Sequence, residues 1–489
     1  MKKPPTMQPS EAIPPPLDAT HEGARIKLQP TENLQISGPH TLFAGALAAV
    51  LLLWVAFYNG YPTLFSDTGG YLWTGTFHVS LAPFRAPGYS VFTRIAGMGA
   101  SPWFIVAAQA VIVVYVLHET CIYLIGGDRK FPDRCLLAGV CVLAALTSLP
   151  WLVSLLMPDV FAGILFLCAF LLAYSSELRL VRRIFLSLIL TLSIAAHSSL
   201  FPIAALYFAA LAILRLAGSR TRGLPPIRSA MPWLLVPIVA ATLWTSAMNY
   251  QMGLGFRLSP SKNTFLMGRL LGDRLAADFL RENCPTTHFI SCRYLSNLPR
   301  SETEFLFQHP LLRDLKGHDD EIDTIVRGTI FNYPRRFLIS SARQSFLQFA
   351  ALRTGDEIRS YAARDWNNGV MQMVFPGDLR AFRNARQSRD QLLKLADTVA
   401  PIHIAIFWIS IAACLLFAWT RRYGRIDNFL ASAIVFLIIN AAVCGALAGV
   451  YDRYQSRVAW IIPLCLIAYV CCLAGERNGV ITERDQACP

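Results

Sequence analysis

Apolar residues run along this chain in blocks and do not form one face of a helical period. Leu42 to Tyr58 carries no charged side chain and approaches the ~20 residues that cross a ~30 Å hydrocarbon layer. Comparable blocks at 42–59, 103–125, 135–150, 158–175, 184–197, 199–214, 231–250, 401–418, 428–449 and 458–474 predict about ten transmembrane helices. The stretch Ile184 to Leu214 is too long for one span and short for two, so a tight turn at His197-Ser198-Ser199, helped by Pro202, divides it. Pro158-Asp159 marks a second such turn. Four polar segments remain. Residues 1–41 are Pro-rich and read as a disordered tail. Loop 60–101 is too long for a plain connection. Segment 251–400 mixes charge with short amphipathic stretches, and 476–489 is a second tail. Within 251–400, Asp319 to Phe349 predicts a helix with Ile322, Ile325, Val326 and Ile330 on one side.

Composition agrees with a membrane protein. Hydrophobic residues make up 54% of the 489 and charged ones only 15%, with a mean hydropathy of +0.43. A soluble chain of this size needs more polar surface. The net charge of +13 does not indicate nucleic acid, because the cations sit in short loops between apolar blocks. Arg129, Lys130 and Arg134 form one cluster and Arg179, Arg182 and Arg183 a second; Arg215, Arg220, Arg222 and Arg228 form a third and Arg421, Arg422 and Arg425 a fourth. The positive-inside rule places all four in the cytoplasm, with the N-terminus. Loop 60–101, the domain 251–400 and the turn Tyr451 to Arg457 then face the far side. The expected fold is an all-α polytopic membrane protein. It has an N-terminal transmembrane module 42–250, an exported, mainly α domain 251–400, a C-terminal module 401–475 and a cytoplasmic tail 476–489. Most of the twelve cysteines lie in apolar blocks. Cys284 and Cys292 lie in the polar domain, where export would make them a disulfide.

Candidate chemistry gathers on the far side. Asp67, Tyr71, Thr74 and His78 are spaced 4, 3 and 4 apart and share one face of a helix. A carboxylate there can take a proton from a hydroxyl, with Tyr71 and His78 orienting or binding; the competing reading is a helix cap. Arg85-Ala-Pro-Gly-Tyr89 adds a fixed cation and an aromatic hydroxyl in the same loop, and Asp159 a second carboxylate. His197 sits at the turn between two spans, where a hydrogen-bonded interfacial histidine competes with a binding role. Arg453 and Arg457, four apart and flanking Tyr454, suit a phosphate or diphosphate at headgroup level; snorkelling is the alternative. Arg257, Lys262 and Arg269 would extend the same basic mouth. There is no zinc-spaced His/Cys set, Gly-rich phosphate loop or Gly-x-Ser-x-Gly elbow, and the cytoplasmic loops are too short for an ATPase. Energy must arrive with an activated substrate or an ion gradient.

With these residues in place, the layout resembles the glycosyltransferase C superfamily of polyprenyl-phosphate-dependent membrane transferases. This group includes protein O-mannosyltransferases and the aminoarabinose transferases of lipid A. Ser66-Asp67-Thr68-Gly69-Gly70-Tyr71 is similar to the acidic stretch after the first span of such enzymes. Arg85-Ala-Pro-Gly-Tyr89, Met157-Pro158-Asp159 and Asp452-Arg453-Tyr454 resemble its later motifs. The outer domain departs from the pattern, since it falls between the seventh and eighth spans. The resemblance implies a plasma (inner) membrane enzyme with its active site facing the periplasm. It would take sugar from a polyprenyl-phosphate donor to a lipid, glycan or protein hydroxyl. Asp67 would be the general base, Asp159 a second catalytic carboxylate, and the arginines would hold the phosphate among membrane lipids. The Asp-x-Asp pair of some metal-dependent relatives is absent, which leaves a divalent metal open. A lipid-linked-saccharide flippase or polymerase would use the same basic cavity without a base. An ion-coupled transporter fits less well, because the ionisable groups gather at one face and not at mid-membrane.

Overall fold

The computed structural model describes residues 39–79, 85–126, 130–176, 178–217, 227–356, 358–361, 365–421 and 424–477. The expected disordered tail (1–38 of it), the end of the C-terminal tail (478–489), Arg129, Arg220, Arg222, Arg422 and the side chain of Lys262 lie outside the described residues. What is described is helical. No β-strand occurs among these residues, and the one isolated bridge pairs Thr63 with Leu155 in parallel.

The apolar blocks become helices α1 (Pro39–Leu52), α4 (Pro102–Ile125), α5 (Lys130–Leu146), α6 (Val160–Tyr174), α7 (Leu180–Ala196), α8 (Leu200–Ala217), α9 (Ile227–Gln251), α15 (Leu392–Thr420), α16 (Gly424–Leu447), α17 (Asp452–Ala459) and α18 (Ile461–Arg477). Between α1 and α4 lie two short helices, α2 (Thr68–Phe77) and α3 (Pro87–Gly97). Between α9 and α15 lie α10 (Lys262–Gly272), α11 (Leu275–Asn283), α12 (Asp319–Asn332), α13 (Pro334–Ala350) and α14 (Trp366–Val374). Local rules set many of the ends. Before α4, Ser101 accepts the Trp103 amide and Pro102 takes the first helical position, while Gly126 closes the helix at φ 66°.

Five helices are long and apolar enough to cross a membrane: α4, α9, α15, α16 and the continuous Asp452–Arg477 run of α17 and α18. The chain is a membrane protein by this measure. Helices α1, α6 and α8 are apolar but shorter, and the blocks 135–150 and 184–197 form 17-residue helices. Of the ten crossings expected, length and apolarity support five among the described residues. Helix α6 shows why apolarity alone misleads. It is apolar all round and every one of its 15 residues is buried, so it is a central pillar of about 22 Å and not a lipid-facing span. Trp460 packs against it at Gly163, where a Cβ would come within 2.3 Å of the ring.

The buried apolar residues of the insert, 252–391, divide mainly between two cores, with Ile358 in a small third cluster beside Val55, Trp151 and Leu392. Leu266 to Phe337 forms its own cluster around Leu270, Phe279, Phe305 and Ile325. Leu352, Tyr361, Val370, Met371 and Phe382 instead join the core of the main bundle. Cys284 and Cys292 are disulfide-bonded, with Cα atoms 5.6 Å apart, as expected from their placement in the polar region.

Candidate active site

Asp67 begins α2, and several backbone anchors place it. Thr63 donates its amide to Ser154 O at 2.9 Å and accepts from the Leu156 amide at 2.9 Å, which ties the segment before Asp67 to the one before Asp159. The insert closes over the other side. Asn367 accepts the Gly69 amide at 2.6 Å and donates to Phe65 O at 3.2 Å. Gln387 accepts from the Leu64 amide at 2.9 Å and donates to Leu64 O at 2.6 Å. Gly69 is required here, because a Cβ would lie 2.4 Å from the Trp366 ring nitrogen.

Held this way, the Asp67 side chain does not cap α2. It is buried and paired with Arg85 through one oxygen. Its other oxygen lies 3.6 Å from an Arg453 nitrogen. Arg453 stacks over Phe65 at 4.4 Å and over Tyr454 at 4.9 Å, and donates to the Tyr454 hydroxyl at 3.3 Å.

Asp159 and Arg457 form a second pair at 3.6 Å, both essentially without solvent contact. Neither Asp159 oxygen has a hydrogen-bond donor among the described residues. Arg457 donates to Ser199 Oγ at 3.1 Å and to Asn440 Oδ1 at 2.9 Å. Ser199 in turn lies 2.9 Å from His197 Nδ1, which also accepts the Ser199 amide at 3.2 Å. Nδ1 is thus the acceptor and Nε2 carries the proton. Burial, then the charges of Arg457, Arg453 and Arg85, hold His197 well below the usual imidazole range, so it serves as a neutral hydrogen-bonding group.

Arg85, His197, Arg257, Arg453 and Tyr454 line one cavity of about 640 Å³, within the range of ligand sites. Phe201 and Pro202 of α8 and Val443 and Leu447 of α16 contribute apolar lining, and Asp319, Asp320 and Asp323 of α12 line it too. Among the described residues no three His, Cys, Asp or Glu side chains converge as a metal-ligand set.

Other sequence candidates are placed differently. His78 is exposed and ends α2 in the left-handed region at φ 55°, so it does not continue the face of Asp67. Tyr71 and Tyr89 are buried edge to face at 5.2 Å. The Tyr89 hydroxyl is occupied by Gln109 at 2.7 Å, whereas burial pushes the Tyr71 hydroxyl above the usual phenol range. Arg269 is outside the cavity lining. It donates to Ala446 O at 2.7 Å and Ser340 Oγ at 2.8 Å, pinning the insert to the end of α16. Arg453 and Arg457 also separate: the first faces the cavity and the second is sealed inside the bundle.

Glu302 has no sequence signal. It is buried, with Oε2 against the backbone of Gly449, where a Cβ would lie 2.0 Å away. Burial raises its carboxyl to about 7, opposed by contacts with Gly449, Arg453, Tyr451 and Arg269. A carboxyl raised on folding stabilises most below its unfolded pKa near 4.5, and that contribution is lost as pH rises through about 7. The thermal midpoint of the wild type should therefore fall between pH 5 and pH 8, by the equivalent of about 3 kcal/mol at most. Glu302→Gln should flatten that slope. A parallel slope in both proteins would assign the effect elsewhere.

No protein-family model, curated protein or solved structure matches this chain.

Proposed function

We propose that this protein is a membrane glycosyltransferase of the glycosyltransferase C type. It would move a sugar from a polyprenyl-phosphate donor to an acceptor hydroxyl on the side of the insert, taken as the periplasmic face. One observation carries this reading: the Asp67 carboxylate does not cap its helix but stands between Arg85 and Arg453, both of which line the cavity.

In the free protein those guanidiniums are shared with Asp67. An arriving phosphate competes for them, because an arginine fork suits phosphate as well as carboxylate. Engaging the donor thus releases the carboxylate beside the sugar, where it accepts the proton of the acceptor hydroxyl. That oxygen attacks the anomeric carbon, the bond to the lipid phosphate breaks, and the configuration inverts. The same arginines stabilise the charge that develops on the leaving phosphate. His197, neutral and held by Ser199, offers an Nε2 proton to a sugar or phosphate oxygen. The lipid tail fits the apolar lining that α8 and α16 contribute to the cavity. Arg457 and Asp159 act from behind, by fixing α17 and the His197 turn.

This reading separates the two arginines. Arg453→Ala should weaken donor binding by about 10- to 100-fold, the scale of a lost charge-assisted contact. Arg453→Lys should recover only part, because it lacks the fork. Equilibrium binding of a short-chain polyprenyl-phosphate sugar measures this directly. Wild-type affinity in the Ala variant would remove Arg453 from the phosphate site.

A further inference from the structure

Helix α13 is turned inside out for a helix of a water-soluble domain. A helix on such a domain buries its apolar stripe and exposes its polar one. Here the polar stripe faces the protein. Gln344 donates to Asp273 at 2.8 Å, Ser345 reaches Ala442 O at 3.4 Å, and the Gln348 side chain exchanges two hydrogen bonds with the Tyr451 backbone at 2.9 and 3.0 Å. The fit against α16 is close, since a Cβ on Gly445 would sit 2.6 Å from Gln344 O.

The opposite stripe carries large apolar side chains in the open: Leu338 is 65% exposed, Ile339 59% and Phe346 76%. These positions are spaced 1, 7 and 8 apart and so share one side of the helix. Arg335 and Arg343 are exposed on that side too.

The placement of α13 gives this stripe a neighbour. At its C-terminal end Phe349 meets Trp408 of α15, rings 6.3 Å apart. Trp408 lies eight residues into the apolar run that starts at Ala400, about 12 Å along the helix axis. Trp408 and Ile409 are themselves exposed, so the open stripe of α13 joins the side of a membrane-crossing helix. The chain does not continue across. After α13, Arg353 pairs with Asp397 near the start of α15, and Asp356 accepts the Arg453 amide at 3.2 Å on the cavity side.

We propose that α13 is embedded in the membrane leaflet on the insert's side, with its Leu338–Ile339–Phe346 stripe on acyl chains and Arg335 and Arg343 on lipid phosphates. Polar groups of an embedded helix turn toward protein because lipid offers them no hydrogen bonds. Long arginines reach from such a stripe to the headgroups. Low hydropathy hides α13 from any span criterion, since eight of its residues, Arg335, Arg336, Ser340, Ser341, Arg343, Gln344, Ser345 and Gln348, are polar or charged. This inference needs only the membrane placement of α15 and α16, and holds whatever reaction the cavity performs.

Spin labels test it in the full-length protein reconstituted into phosphatidylethanolamine–phosphatidylglycerol vesicles. Cys141, Cys471 and Cys488 are first replaced by serine, and single cysteines are introduced as Leu338→Cys and Phe346→Cys. Ile409→Cys serves as the lipid reference and Arg313→Cys, on the exposed insert surface, as the water reference. Labels at 338 and 346 should collide with oxygen and be protected from a water-soluble nickel chelate, as at 409. Nickel access equal to that at 313 would overturn the proposal, as would protection from both agents, which would mean a protein covers the stripe. Phe346→Trp offers a second reading without cysteine changes. Its added fluorescence should be quenched by brominated lipids, and a lack of quenching would also overturn the placement.

Discussion

Asp67→Asn is expected to lower sugar transfer by ~10²- to 10⁴-fold, the usual contribution of a general base, while donor binding stays the same or tightens. The second half follows from the geometry. Asp67 occupies Arg85 and Arg453 in the free protein, so removing its charge frees both for phosphate. Folding should survive, because the side chain caps nothing and the arginines left behind face a cavity that can admit water. Transfer to an acceptor and equilibrium donor binding, measured on the same preparation, separate the outcomes. A folded variant that transfers normally would end the role of Asp67 as base. One that still moves lipid-linked sugar across vesicles without transferring it would favour a flippase.

Asp159→Ala is expected to cost about 3–5 kcal/mol of stability, because it strands the buried charge of Arg457. Thermal unfolding in detergent would report a large drop in midpoint. The double variant Asp159→Leu, Arg457→Met should recover most of the loss, since apolar residues of similar volume often replace a buried ion pair without penalty. Activity of that double variant then decides what the pair is for. A folded, active protein assigns Asp159 to structure alone. A folded protein that binds donor but does not transfer keeps the catalytic role that the second acidic motif implies.

Much of this architecture is legible in the sequence, for a simple reason. Lipid-facing and core helices are both apolar, so blocks such as 103–125 and 428–449 become helices α4 and α16 without much ambiguity. The same fact limits the reading. The block at 158–175 looks like a span, yet α6 is wholly buried and short. Spacing brings residues to one face of a helix but does not say what that face meets. Arg453 and Arg457 sit one turn apart, and a small rotation of α17 sends one to the cavity and one to Asp159. His78 would have shared the face of Asp67 had α2 run one residue further. Arg269 and Arg457 both read as cations for a substrate, and both are used up on backbone and buried partners. Asn367, Gln387 and Glu302 were out of reach altogether, since each acts on a segment distant in sequence and none belongs to a short motif. The helix expected over Asp319 to Phe349 breaks at Pro334 into α12 and α13, and the open stripe of α13 was not legible because its polar content masks its orientation.

The hydrogen bonds from Asn367 to the Asp67 turn span 298 residues, and this has a consequence for how the protein is made. At synthesis rates of about 5–20 residues per second, the N-terminal helices wait roughly 15 to 60 seconds before the segment that clamps them exists. During that interval the Gly69 amide and the Leu64 backbone lack their final partners, in a segment placed beside the forming bundle. Contacts of such separation form late and slowly. A ribosome stalled before residue 365 would thus hold an inserted but unfinished protein, whose Asp67 turn is free to sample other conformations. Competence for the proposed reaction should appear as a late, abrupt event in biogenesis, well after membrane insertion of the first helices is complete.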